Sequence, residues 1–448
     1  MTGQIRAGQL LEELAGQVGG AEVYESRRLQ TPVNFRAGAL ESVKSVETTG
    51  RAVRVIHEGR VGFSTTTDLA DVKTLIQNAL QSARFGGPAP FAFPARQPAA
   101  TVQCFDPEVE GMDVAQMITL GEEVVERLKA GDPGLQVDFS VSKSVEQITL
   151  LNTSGLEVED RRTFFSLGIE AIRTRGDDIL ILWDSASSHA AREIVPPVMV
   201  ERLLERLRRA DTIARVETKA MPVVFTSLAT LCLLLPLSEG LDGRSVYEGA
   251  SPLAEKLGQQ VLDPRFTLVD DGRLDLAALS APYDDEGTPT ARKPLIEDGV
   301  VRQFLYDLKT AALAGASPTG NGFKVQGFGD RSYHLPPTIM PATQLVLPGD
   351  TSLEEMLRGL DEAILVQDVI GLGQGNTLAG EFSNNVSMGF LVRKGEVVGR
   401  VKNTMIAGNV YELLRDQLIG LSDRADWVLG IAKTPAIAID SVNVVSQG

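Results

Sequence analysis

The period of the apolar positions changes several times along the chain. Leu10, Leu11, Leu14 and Val18 lie three or four apart and predict a helix over 6–18. Polar and apolar residues then alternate in short runs from Tyr24 to Ser45, the mark of short strands with one covered face. In 52–66, β-branched residues flank Glu58 and Gly59, which predicts a hairpin whose glycine supplies a positive φ. Asp68 is the candidate N-cap of a helix striped by Leu69, Val72, Leu75, Ile76, Ala79, Leu80 and Ala83 and stopped by Gly86 and Gly87.

Pro88, Pro90, Pro94 and Pro98 forbid helix or central strand, so 88–100 reads as a linker. Beyond it Asp113 caps a helix whose stripe is Val114, Met117, Ile118, Val124, Val125 and Leu128. Strands flank a turn at Asn152 to Gly155, 169–183 reads as strand, and 198–216 reads as helix. A boundary near 215–222 leads into a region of Gly, Pro and short β-type runs. Its one clear helix has Thr351 and Glu354 as a capping box ahead of Leu353, Met356, Leu357 and Leu360. The expected fold class is therefore α+β, with mixed sheet-and-helix layers over 1–87 and 101–217 and a mostly β domain over 218–448.

Composition narrows the classes. At 448 residues the chain has room for about three domains. With 43% hydrophobic and 23% charged residues, it can bury a sizeable core and is not disordered. The formal net charge of −16 has the wrong sign for holding a polyphosphate, which argues against nucleic acid as main partner. Cys104 and Cys232 are too few for a disulfide framework. The opening residues lack the basic flank and uninterrupted apolar core of a signal peptide, and a reducing cytoplasm is expected. The most apolar stretch, 223–237, is shorter than the roughly 20 residues of a spanning helix, so it reads as buried core and no membrane is expected.

Local chemistry is sparse. His57, His189 and His334 are scattered, with no pair one helical turn apart for zinc, and each reads as a surface or satisfied core residue. No G-x-S-x-G elbow occurs, and Cys232 lies in LATLCLLLPL, where an apolar setting makes a thiol inert; Cys104 also reads as structural. Gly371 to Asn376 reads as a tight turn between strands, because no helix start follows to face a phosphate. Asp284, Asp285 and Glu286 could bind a cation or share a proton, but without spaced oxygen ligands they read as a solvated turn. Arg202, Arg206 and Arg209, with Glu201 and Glu205 beside them, read as a solvated helix face.

Several ordered stretches carry more. RAVRVIHEGRVGFSTTTDL, LNTSGLEVEDRRT, SEGLDGRSVYEGASPLAEKLGQQVLDP, PYDDEGTPTARKPLIEDGVVRQFLYDLKTA, SPTGNGF, GEFSNNVSMGFLVRKGEV and NTMIAGNVYELL together resemble the TldD/PmbA family, the modulators of DNA gyrase, over most of the length. The likeness is greater to its PmbA (TldE) branch. In that family the TldD-type subunit is a zinc metallopeptidase with an H-E-x-x-x-H helix before a small-residue turn, and a late cysteine as further ligand. Counting back from Gly249, Ala250 and Ser251, the histidine positions fall on Leu234 and Glu239 and the base position on Leu235. Leucine has no lone pair for a metal, Pro236 would disturb the helix, and the last 18 residues hold no cysteine.

The resemblance therefore implies a subunit without its own metal or catalytic residues. Its expected partner is a TldD-like metallopeptidase chain that holds the zinc, in a heterodimer enclosing a chamber for unfolded or modified peptides, as in leader removal; a homodimer is the alternative when the partner is absent. Asp285, Glu286, Asn321 and Asn409, in the matching stretches, are the candidate contacts to an extended peptide. Two other readings stay open: a free-standing hydrolase using the acidic triplet, and a pure protein-interaction module.

Overall fold

The computed structural model describes residues 6–325 and 331–446. The alternating N-terminal segments fold as longer strands than their sequence suggests. β1 (Gly20–Arg36), β2 (Ala39–Val43), β3 (Val46–His57) and β4 (Arg60–Thr66) precede the Pro-rich stretch; β5 (Gln136–Asn152), β6 (Glu157–Arg175) and β7 (Asp178–Ser188) follow it. All seven form one sheet in the order β4-β3-β1-β5-β6-β7, with β2 on β1. The antiparallel β1–β5 ladder runs from Glu22–Asn152 to Phe35–Phe139, so the chain on both sides of the Pro-rich stretch shares a single sheet. Pro32 does not break β1. Its carbonyl accepts from Lys44 N at 3.2 Å on the side where β3 pairing has ended at Gln30 and β2 pairing begins at Val33, so its missing N–H leaves no ladder bond unmade.

Local signals explain most element ends. The β3–β4 hairpin turns on Glu58 and Gly59, both at positive φ. Asp113 caps the helix Val114–Gly131 in a capping box with Gln116. Other expectations need correction. The first helix is Ala7–Ala15, short of Val18. Asp71 caps the helix Val72–Ala83, while Asp68 closes the preceding turn by accepting from Ala70 N at 3.0 Å. The 169–183 run is not one strand, because Gly176 at φ 63 turns it into the β6–β7 hairpin. The next helix is Pro196–Arg209, after which Ile213–Ala214 pairs with strand Glu396–Val401. The capping box of Leu353–Arg358 is Ser352 with Glu355, one residue on from the expected pair. Finally, Pro236 sits inside a continuous helix, Leu231–Gly240.

The C-terminal region is built on a twelve-stranded sheet whose centre is Ala432–Ser446, Lys219–Phe225, Glu362–Ile370 and Glu381–Arg393. It is mostly β but, among the described residues, carries five α-helices rather than one: Leu231–Gly240, Gly243–Tyr247, Leu308–Ala314, Leu353–Arg358 and Val410–Asp416. Period-two alternation gives the sheet two faces. Val223, Phe225, Ile364, Val366, Ile437 and Ile439 pack with the Leu231–Gly240 helix. Val224, Leu365, Ala436 and Ala438 pack with β5, β6, β7 and the Pro196–Arg209 helix. β7 is tied across that second face by Asp178 to Arg400 at 2.6 Å, Trp183 to Asp368 at 2.7 Å and Ser187 to the Leu429 carbonyl at 3.1 Å. Among the described residues, no helix is long and apolar enough to cross a membrane.

Candidate functional site

Leu234, Leu235 and Glu239, where the resemblance puts the motif, lie on a helix that is apolar nearly all round, which fits a buried element. Leu231, Cys232, Leu233, Leu234, Pro236 and Leu237 are all buried, Leu234 to 1% exposure. Leu235 is half-buried and faces the Gly371–Gly375 turn, where a Cβ added at Gly373 would lie 3.6 Å from its Cδ2. Glu239 accepts from Thr377 Oγ1 at 2.6 Å. Tyr411 donates its hydroxyl to the Pro236 carbonyl at 3.3 Å, and burial, then Glu239, raises its pKa well above the usual phenol range. These residues do not fit a zinc site. Two of the three positions carry hydrocarbon, and the one carboxylate is already engaged by a hydroxyl. Among the described residues, no three His, Cys, Asp or Glu side chains cluster as a metal site.

Asn409 belongs to this corner as a cap. It accepts from Tyr411 N at 3.0 Å and Glu412 N at 3.4 Å, opening the helix Val410–Asp416, and donates to the Ala379 carbonyl at 2.9 Å. The loop that carries Thr377 is thereby fixed against Glu239.

The acidic triplet is not a solvated turn. Asp284, Asp285 and Glu286 are at most 3% exposed. Asp284 accepts from the backbone N–H groups of Glu286, Thr288 and Gly322, at 3.0, 2.8 and 2.9 Å, and turns the chain at Gly287, φ 80. Asp285 accepts from Lys324 N at 2.8 Å and faces Arg331 at 3.4 Å. Glu286 accepts from Leu308 N at 2.7 Å and from Arg54, which also reaches Glu22 at 2.9 Å. Burial raises the pKa of Asp284 and of Glu286; Glu286 pushes Asp284 further up, whereas Arg54 pulls Glu286 back down. Lys324, fully buried over the rings of Tyr24 and Phe63, is pushed by burial down to about 8. Asn321 is fully buried nearby, donating to Asp270 Oδ2 at 2.9 Å and accepting from Thr319 at 2.8 Å.

Asp285, Glu286 and Asn321 thus fall in one buried polar region, and Asn409 lies apart from it. The region joins the N-terminal sheet, through Glu22 and Arg54, to the C-terminal chain. The Pro-rich stretch contributes Phe91 and Phe93, whose rings face Arg54 at 5.7 and 5.1 Å.

His189 is a core residue. Its Nδ1 lies 2.5 Å from the Thr163 carbonyl and its Nε2 3.2 Å from that of Ser280, and burial, with help from Arg162 and Arg331, lowers its pKa to about 4. His57 is half-buried at the end of β3, and His334 is exposed. Both cysteines are buried; burial pushes Cys104 up to about 11 and Cys232 further.

Sequence reasoning missed a cavity on the other side of the sheet. It holds about 840 Å³ between β7 with helix Pro196–Arg209 and the second face of the twelve-stranded sheet. Arg202, Arg206 and Arg209 line it; Arg202 and Arg206 are half-buried there, while Arg209 is exposed, as a solvated face would have it. Their four-and-three spacing was visible; that a sheet would stand opposite was not.

The chain matches three family models in order: the PmbA/TldA metallopeptidase domain 1 over residues 21–83, its central domain over 107–216 and its C-terminal domain over 218–446. It is 25% identical to the metalloprotease PmbA of Escherichia coli O157:H7, over 91% of this chain and 88% of that protein. It is 26% identical to a metalloprotease TldD homolog of Haemophilus influenzae, over 80% and 77%. In fold it is similar to TldE of Thermococcus kodakarensis, with a TM-score of 0.88, 22% identity and coverage of 98% and 99%. The chain belongs to the PmbA/TldD metallopeptidase family.

Proposed function

We propose that this chain is the non-catalytic, TldE-like subunit of a heterodimeric metallopeptidase, whose zinc is held by a TldD-like partner and whose substrates are unfolded or modified peptides, as in leader removal. The observation that carries this reading is the chemistry of one helix: in a member of a metallopeptidase family, the motif positions hold Leu234, Leu235 and Glu239, two of them unable to bind a metal or take a proton. The helix itself is well formed and is pinned by the Thr377–Glu239 and Tyr411–Pro236 bonds. A helix of this fold without metal donors suits a partner subunit better than a free enzyme. An extended peptide would bind through backbone hydrogen bonds to a strand edge, which tolerates many sequences. The acidic triplet does not support a separate hydrolytic site, because its carboxylates are buried and occupied by Arg54, Arg331 and backbone N–H groups.

The test is reconstitution. The chain alone, a TldD-like protein alone and their mixture are each given an unfolded peptide, with and without a chelator. Cleavage is expected from samples that contain the partner and is lost on chelation. Chelator-resistant cleavage by the isolated chain overturns the reading, and so does a stable pair that hydrolyses nothing.

A further inference from the structure

The 840 Å³ cavity lies across the twelve-stranded sheet from the Leu231–Gly240 helix, so it is separate from the motif positions. One wall is β7, an edge strand paired with β6 along its length and bridged to Ala277 at its last residue, Ser188. Along that edge, the carbonyl of Trp183 accepts from Arg206 Nη1 at 3.2 Å. Its neighbours on the helix are neutralised, Arg202 by Asp184 at 3.0 Å and Arg209 by Glu205. Arg206 is not. No carboxylate lies within ion-pair distance of it among the described residues, and the Trp183 carbonyl is its one hydrogen-bond acceptor there. Burial lowers its pKa, while Asp184, Asp368 and Glu205, beyond ion-pair distance, pull it back up. A guanidinium offers five donors in a planar fork that matches a carboxylate two bonds at a time, and of these only Nη1 is engaged by the chain, which leaves donors for a ligand carboxylate at the cavity wall.

We propose that this cavity binds the carboxylate end of an extended peptide, with Arg206 gripping the carboxylate and the outer edge of β7 near Trp183–Ser185 running beside the peptide. The volume suits a few residues of chain rather than a single small acid. The wall is mixed in character, with Trp183 and Trp427 beside charged and hydroxyl groups, as a sequence-tolerant peptide site needs. This inference does not depend on the subunit reading above, since it concerns the opposite face of the sheet and needs no metal and no partner.

The chain carries its own reporter. It has only two tryptophans, Trp183 and Trp427, and both line the cavity. Tryptophan emission is titrated with an N-acetylated tetrapeptide bearing a free C-terminal carboxylate, with the same peptide as its C-terminal amide, and with succinate. Saturable change with the acid is expected, with the amide and succinate each weaker by roughly tenfold or more, the worth of a charge-assisted bidentate contact. Arg206→Gln should weaken the acid by a similar factor, and Arg206→Lys should recover only part, because it keeps the charge and loses the fork. Equal binding of acid and amide, equal binding of succinate, no saturable change, or an Arg206→Gln variant that binds normally would each overturn the proposal. Should Arg206→Gln fail to fold, the acid–amide comparison on the wild-type chain decides alone.

Discussion

The two faces of the twelve-stranded sheet carry opposite chemistry. On one, the Leu231–Gly240 helix seals the surface with Leu234, Pro236 and Leu237, and its only acidic side chain, Glu239, is taken by Thr377. On the other, arginines, carboxylates and both tryptophans surround an open cavity. Strand periodicity makes this possible, because adjacent residues such as Val224 and Phe225, or Ala436 and Ile437, point into different cores. Leu234, Leu235 and Glu239 can therefore vary without disturbing what lies across the sheet. A second contrast runs along the molecule: where the helix is held by hydrocarbon, the N-terminal sheet is joined to the C-terminal chain by buried charge around Arg54, Glu22 and Glu286.

That second contrast breaks most visibly. Arg54→Ala leaves two carboxylates buried without their shared cation and should cost ~3–5 kcal/mol in urea unfolding; a loss below ~1 kcal/mol would mean that water already shields the pair. Next in size is the sealed helix. Leu234→His puts an imidazole among leucines and should cost about 3 kcal/mol, the sum of lost packing and a buried polar group. The variant should also gain no stoichiometric zinc, measured by metal analysis after dialysis, because one nitrogen and the engaged Glu239 do not make a site. A stable, zinc-loaded Leu234→His protein would show that the helix retains a latent metal geometry.

Acid should separate the buried groups by sign. His189 titrates near 4 in the folded chain against about 6.5 when unfolded, so its contribution is complete above about pH 6.5 and is lost as pH falls toward 4. The amount is on the order of 2–3 kcal/mol. Asp284 and Glu286, whose pKa values are raised, act in the opposite sense, since the folded state takes up their protons more readily as pH falls. The clean readout is therefore a difference: between pH 6.5 and 4, stability should fall less steeply in His189→Gln than in the wild type. Parallel slopes would mean that the ring is protonated in the core, held by the carbonyls of Thr163 and Ser280. The smallest effect is expected at Glu239→Gln. The amide oxygen can still accept from Thr377, so stability should change by less than about 1 kcal/mol and cleavage by the reconstituted pair should be unaffected.

Much of this fold was legible where a local signal acts alone. Glu58-Gly59, Asn152 to Gly155 and the Asp113 capping box form as read, because turn and cap preferences are settled within four residues. The errors came where the sequence offers near-equivalent neighbours, as with Asp68 against Asp71, or Thr351–Glu354 against Ser352–Glu355. Tertiary contacts hid the rest. Asp284, Asp285 and Glu286 look like a solvated turn until Arg54, far away in sequence, arrives to neutralise one of them. Arg206 looks exposed until the second face of the sheet closes over it. The placement of the motif on Leu234, Leu235 and Glu239 comes from the resemblance of the neighbouring stretches, not from any local signal.

The central claim is that this chain lends its fold but no metal ligands to a peptidase. Its most direct test is metal analysis of the two subunits, each dialysed against zinc alone and then separated from the assembled pair. Zinc is expected on the TldD-like partner and not on this chain, before and after assembly. One zinc per molecule of this chain, retained through dialysis and removed only by a strong chelator, would contradict the account.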